Sequence, residues 1–219
     1  MIKVLTLVGT RPELIKMSRV ISEIDKNFNH ILVHSGQNYD YELNEIFFED
    51  LEIRKPDYFL NVSKESSVKA ISDVIEKIDE VFEIEKPSAF LIYGDTNTSL
   101  AVISAKKRQI PIFHMEAGNR CFDMRVPEEI NRKIVDHVSD INLVLSEHAR
   151  RNLIAENISS DKIFKTGSHL HEVIKYYMPK IKKSIILDKL KLSEKKYFLL
   201  SAHREENIDD KENFENLFL

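Results

Sequence analysis

Short apolar runs rich in β-branched residues alternate along this chain with longer stretches whose apolar positions recur every three or four residues. The runs cover residues 2–8, 30–34, 89–93, 112–114, 141–145 and 163–165, and the amphipathic stretches cover 12–25, 41–51, 68–85, 99–107, 127–137 and 147–156. Runs that are apolar at nearly every position suit strands covered on both faces, as in a parallel sheet flanked by helices. Strand and helix in alternation predict an α/β fold with a Rossmann-like, doubly wound parallel sheet.

The pattern changes near residue 179. Residues 1–178 read as one N-terminal Rossmann-like domain. Residues 179–196 hold seven lysines against Asp188 and Glu194, with Ile185, Ile186, Leu187, Leu190 and Leu192 among them. Such a basic amphipathic stretch can serve a membrane surface. The plainer reading is a solvated linker helix between two domains. A fresh apolar run at 197–202 and a helical pattern from Asp209 read as the start of a second Rossmann-like domain, 197–219, incomplete at Leu219.

Composition narrows the class. With 219 residues, 42% of them hydrophobic, the chain can bury the core of one large domain. A net charge of −4 gives no general attraction to nucleic acid or to anionic membrane. The single cysteine, Cys121, excludes an internal disulfide and fits a reducing compartment. No stretch approaches the roughly 18 apolar residues of a membrane span. The apolar run at the N-terminus is too short for a signal peptide. The expectation is a cytoplasmic protein with neither nucleic acid nor membrane as partner.

Ligands of open α/β sheets sit outside the carboxyl ends of the strands, so the segments after each strand carry the candidate chemistry. In Gly9-Thr-Arg-Pro-Glu13, Pro12 suits a helix start and Gly9 a close turn. With Arg11 and Lys16 alongside, the free amides there suit phosphate or a polar sugar edge. The bland alternative is a capped helix with Arg11 in solvent or paired to Glu13. Asp95, in Gly94-Asp-Thr-Asn97, is either a helix cap or a catalytic carboxylate. Glu116 follows a buried strand with no propensity reason to be there and is the stronger candidate, whereas His114 fits a satisfied core histidine. Glu128 and Glu129 follow Pro127 in a first helical turn, where acidic residues are routine. His203 and Arg204, in Ser201-Ala-His-Arg-Glu-Glu-Asn207, suit either a phosphate or a helix cap. Neither a G-x-G-x-x-G fingerprint nor a P-loop is present, and the histidines lack metal-ligand spacing with cysteine. A G-x-S-x-G elbow is absent too. No cofactor and no metal are expected.

Taken together and in order, Gly9-Thr-Arg-Pro-Glu13 with Lys16, Ser35-Gly-Gln37, Gly94-Asp-Thr96, Met115-Glu-Ala-Gly118, Pro127-Glu-Glu with Asn131-Arg132, Thr166-Gly167 and Ala202-His-Arg-Glu-Glu206 resemble the UDP-N-acetylglucosamine 2-epimerase family. The resemblance covers nearly the whole chain. It implies the GT-B architecture, two Rossmann-like domains with a UDP-activated N-acetylhexosamine between them, and a homodimer. By motif, Asp95, Glu116 and Glu128 match the family's catalytic carboxylates. His203 matches the active-site histidine beside UDP, with Arg204 next to it. Arg11 and Lys16 match substrate-contacting positions.

The chemistry so implied needs carboxylates. The C2 hydrogen of an N-acetylhexosamine is not acidic until the C1–O bond to UDP begins to break. UDP is therefore eliminated to a 2-acetamidoglycal, which is reprotonated on its other face before UDP adds back. Two faces call for at least two positioned acid–base groups, and cations must hold the departing diphosphate.

Two departures bear on the branch. Gln37-Asn-Tyr39 stands where the commonest members carry Gln-His-Arg, and the segment between Glu116 and Glu128 is a little shorter, which puts a regulatory substrate site in question. The stretches His114-Met-Glu-Ala-Gly-Asn-Arg-Cys-Phe-Asp123 and Asp140-Ile-Asn-Leu143 resemble the branch that forms UDP-N-acetyl-L-fucosamine for capsule and O-antigen. The alternatives are a hydrolysing epimerase, a GT-B glycosyltransferase, or an inert nucleotide-sugar-binding or dimerisation fragment.

Overall fold

A computed structural model describes residues 1–36, 47–63, 65–200 and 211–216. Among them the chain divides into two compact units, Met1–Tyr176 and Tyr177–Leu219.

In the first unit seven strands form one sheet. They are β1 (Lys3–Val8), β2 (Asn29–His34), β3 (Tyr58–Phe59), β4 (Ala89–Tyr93), β5 (Ile112–Ala117), β6 (Ile141–Val144) and β7 (Ile163–Lys165). Their order is β3-β2-β1-β4-β5-β6-β7, with every neighbouring pair parallel. The order reverses between β1 and β4, which places a topological switch, and hence the expected crevice, beside the loops after those two strands. The doubly wound α/β reading of the sequence therefore stands. The edge strand β3 escaped the pattern because two residues after Pro56 and Asp57 show no periodicity.

Between the strands run α1 (Arg11–Asn27), α2 (Ser67–Glu85), a 3₁₀ turn (Asn97–Ala101) into α3 (Val102–Lys107), α4 (Pro127–Val138) and α5 (Glu147–Ala155). α1 starts where the sequence puts a capping box. The Thr10 side chain accepts from the Glu13 N–H, and the Glu13 carboxylate accepts from the Thr10 N–H. α2 ends at Lys86 in a left-handed conformation, φ 45°, just before Pro87. One face of the sheet packs Leu5, Leu7, Val33, Phe90 and Ile92 against Val74, Ile78, Phe82, Ala101, Val102 and Val135. Phe82 meets Phe90 edge-on at 5.1 Å. Alternation of apolar in and polar out on each helix follows from this burial. Among the described residues no helix is long and apolar enough to cross a membrane.

α6 (Leu170–Lys182) runs across the unit boundary, so the helix continues past residue 178. In the second unit α6 stops at Lys182 and a short α7 (Ile186–Lys189) follows, so the single helix expected over 179–196 is broken. The break falls at Ser184, whose hydroxyl accepts from the Ile186 N–H. Lys191, at φ 55°, then closes α7, with the Leu192 N–H on the Leu187 carbonyl. Residues 197–200 form no ladder with any strand among the described residues. A helix, α8 (Lys211–Asn216), follows. Of the helix expected over 41–51, residues 47–50 are helical and 41–46 lie outside the described residues.

Candidate active site

Four loops at the carboxyl end of the sheet carry the candidate chemistry, and their backbones are locked to one another before any ligand is considered. After β1, the Gly9 and Thr10 N–H groups both donate to one oxygen of Glu13, at 2.6 and 3.1 Å, while the Thr96 hydroxyl after β4 donates to the other at 2.9 Å. Burial pushes the Glu13 carboxyl above its ordinary range, against the opposing pull of those hydrogen bonds. Glu13 is thus a tie between the β1 and β4 loops rather than a partner for Arg11. Gly9 is required by space. A Cβ there would come within 2.4 Å of the Thr98 hydroxyl and 2.5 Å of the Ser35 hydroxyl, which are hydrogen-bonded to each other at 3.0 Å.

Lys16, one turn along α1, reaches Glu116 at the end of β5, its Nζ 3.1 Å from the carboxylate. Asn119 donates to the other oxygen at 3.3 Å. Glu116 sits where the β5–β6 register shifts, between Met115 and Ala117, and holds φ at 68°. A left-handed glutamate costs roughly 1–3 kcal/mol and persists only where its surroundings dictate it. The bulge turns this one carboxylate out of the strand's alternation.

The surroundings that dictate it lie just beneath. Buried Asp136 of α4 accepts from both the Gly118 N–H and Arg120, the latter at 2.8 Å, and faces His114 Nδ1 at 2.8 Å. His114 Nε2 donates to the Gly94 carbonyl at 2.8 Å. Arg120 also forks onto Glu156 at 2.8 and 2.6 Å. Burial alone would raise the Asp136 carboxyl, yet His114 and Arg120 hold it below its ordinary range. His114 is the satisfied core histidine its sequence context suggests, and it joins the β4 and β5 loops.

Asp95 is held from α4. Arg132 donates to its carboxylate at 2.7 Å and Asn131 to its backbone carbonyl at 2.9 Å. Arg132 also pairs with Glu129 at 2.9 Å. Glu129 is buried, and burial raises its pKa, but the Cys121 and Phe122 N–H groups and Arg132 bring it down to about 2. Of the two neighbouring glutamates, Glu129 therefore anchors the loop before α4 and Glu128 is left exposed at the helix start. The geometry pairs Lys16 with Glu116 and Arg132 with Asp95, and it ties Glu128 to neither. Arg11 stacks its guanidinium 5.3 Å above the Phe47 ring. His203, Arg204 and Gln37-Asn-Tyr39 lie outside the described residues.

Sequence reasoning missed three contributors. Arg132 had a place in a motif but no role, and Tyr93 only a place at the end of an apolar run. Tyr93, the last residue of β4, carries Lys16 over its ring at 5.3 Å and His169 edge-on at 5.4 Å. His169 follows the Thr166-Gly167 turn. Burial lowers its pKa and nearby Glu116 raises it in part. Among the described residues no three His, Cys, Asp or Glu side chains gather as a metal site.

A family model described as UDP-N-acetylglucosamine 2-epimerase matches residues 22–219. A UDP-N-acetylglucosamine 2-epimerase homolog of Methanococcus maripaludis is 43% identical over 98% of the chain and 61% of its own length. The solved UDP-N-acetylglucosamine 2-epimerase from Rickettsia bellii superposes with a TM-score of 0.93 at 62% identity, over 100% of this chain and 59% of that one. The Methanocaldococcus jannaschii UDP-GlcNAc 2-epimerase in complex with UDP-GlcNAc and UDP gives 0.90 at 34% identity, over 99% and 61%. The chain thus spans about three fifths of the length of the relatives it matches. It belongs to the UDP-N-acetylglucosamine 2-epimerase family and covers the N-terminal part of that family's GT-B fold.

Proposed function

We propose that this chain carries the acid–base half of a non-hydrolysing UDP-N-acetylhexosamine 2-epimerase. The observation that carries the reading is Glu116, a carboxylate in a strained backbone conformation, held by Lys16 at the carboxyl end of the sheet beside the β1–β4 switch. An ordinary surface glutamate has no need of a bulge, a left-handed φ and a buried ionic support. In this reading the C1–O bond breaks with its electron pair going to UDP, and a carboxylate takes the C2 proton. A proton is then returned to the opposite face of the glycal as UDP adds back to C1. Asp95, Glu116 and Glu128 share that work, and Arg11 and Lys16 hold substrate. His203 and Arg204 meet the diphosphate from the second domain. That domain begins after the 179–196 linker, and the protein acts as a homodimer in the cytoplasm. The branch acting on UDP-N-acetyl-L-fucosamine for capsule or O-antigen is the substrate assignment we favour, on the sequence between Glu116 and Asp123.

Product analysis tests the reading. The chain is assayed alone and joined to the C-terminal two fifths of the Rickettsia bellii relative, with UDP-N-acetylglucosamine and with UDP-N-acetyl-L-fucosamine. The C2 epimer with UDP still attached is the expected product. Free N-acetylmannosamine would mean a hydrolysing enzyme. Sugar transfer to an acceptor would mean a glycosyltransferase, and no turnover by the completed fold an inert binding module.

A further inference from the structure

Next to the Lys16–Glu116 pair stands a histidine that the folded chain leaves unanswered. His169 places its ring edge-on to Tyr93 at 5.4 Å, interplanar angle 84°, and the same Tyr93 ring carries Lys16. Lys16 and Glu116 are near enough to act on the charge of His169. Both of its ring nitrogens are shielded from solvent, and neither has a hydrogen-bond partner among the described residues. Leaving a donor and an acceptor buried and unpaired costs about 1–3 kcal/mol each. Native folds avoid this unless something outside the chain completes the pairing. The fully buried ring of this region, His114, has both its nitrogens engaged.

Resting on the epimerase reading, we propose that His169 is a substrate-contacting residue whose imidazole turns within its half-buried place beside Tyr93 and presents a nitrogen to a hydroxyl of the sugar ring. A neutral imidazole offers one donor and one acceptor. A hydroxyl is the group that can answer either. The position beside Glu116 places that contact on the sugar rather than on the nucleobase. Its role is to fix the ring against Glu116, and orientation of this kind is where bound enzymes gain much of their rate.

The test uses long-range proton–nitrogen NMR of the histidine rings in the 219-residue chain, titrated with UDP-N-acetylglucosamine. The amides of Gly9, Gly94 and Gly118 report occupancy of the site independently. The expected result is a shift of a His169 ring nitrogen that saturates together with those amides. Amides that move while the ring stays still overturn the proposal and leave the epimerase reading standing. If nothing moves, the titration is repeated on the chain joined to a complete second domain, where amides that move beside a still His169 ring overturn the contact alone and silence from both overturns the epimerase reading as well. Two variants separate contact from scaffolding. H169F keeps the edge-on packing and removes the unpaired nitrogens. It is expected to unfold at the same or a higher temperature while binding about 10-fold more weakly, and H169Q to keep most of the affinity. An H169F that unfolds earlier with undiminished affinity would make His169 a structural residue and refute the contact.

Discussion

The residue on which most depends is Glu116, because its backbone and its carboxylate answer to different demands. Its φ of 68° costs stability, whereas the side chain serves only the site, so the two can be separated by substitution. Glu116→Gly removes the left-handed penalty and is expected to raise stability by about 1 kcal/mol in denaturant unfolding. Glu116→Gln keeps the strain and should leave stability within about 0.5 kcal/mol. Both should lose epimerisation by a factor of roughly 10² to 10⁴. Gly9 behaves in the opposite way. Its Cβ would strike the buried Ser35–Thr98 hydroxyl pair, so Gly9→Ala is expected to lower stability by about 1–3 kcal/mol in the same measurement. A Gly9→Ala variant of unchanged stability would show that the β1 loop has room the distances deny.

At the scale of elements, the site is held by a charged network that bridges β5, α4 and α5. Arg120 links Asp136 of α4 to Glu156 after α5, with its side chain and that of Asp136 fully buried. Replacing Arg120 by Met leaves Asp136 with its charge and only His114 to answer it, a loss of about 3–5 kcal/mol. Chemical denaturation checks this, and a cost below 1 kcal/mol would mean that the loop after β5 is supported elsewhere. The strands and helices of this network were legible from apolar runs and periodicity, since burial on one or both faces writes itself into the pattern. What was not legible is which charged residues meet. Glu129 and Glu128 are indistinguishable in the sequence, yet one is buried under two N–H groups and Arg132 and the other faces out. Pairings such as Lys16 with Glu116 span 100 residues, and no local pattern reports them. The same holds for His169, whose neighbours come from β4, α1 and β5. The helix expected over 179–196 is interrupted between Lys182 and Ile186, a break that the run of lysines and apolar residues does not report.

At the scale of the molecule, the buried imidazoles and carboxylates set the response to pH. Burial lowers the pKa of His30, with Asp25 pulling it back in part, and that of His169 as well. The unfolded chain therefore takes up protons more readily than the fold below pH about 6.5, so their share of stability is lost as the pH falls through that value. Glu129, held at about 2 against the burial that raises it, and Asp79, brought to about 2 by Arg108, act lower. Their contribution is complete above the ordinary carboxylate range and is lost as the pH falls from about 4.5 toward 2. Thermal unfolding followed from pH 8 to 3 is expected to show both declines, the first reduced in H169F. Glu13, its carboxyl raised by burial, acts in the opposite sense, so the deciding comparison is with H169F, and a decline between pH 7 and 5.5 as steep in H169F as in the parent would contradict a buried neutral His169.

The central claim is that Glu116 belongs to the machinery that moves the C2 proton. The most direct measurement is proton NMR in deuterated water on the chain joined to a complete second domain, with each UDP-sugar as substrate. Deuterium is expected to enter C2 of the sugar, and to stop entering in Glu116→Gln although the variant still folds and binds. Exchange that continues undiminished in Glu116→Gln, or that never occurs in the completed fold, would contradict the account.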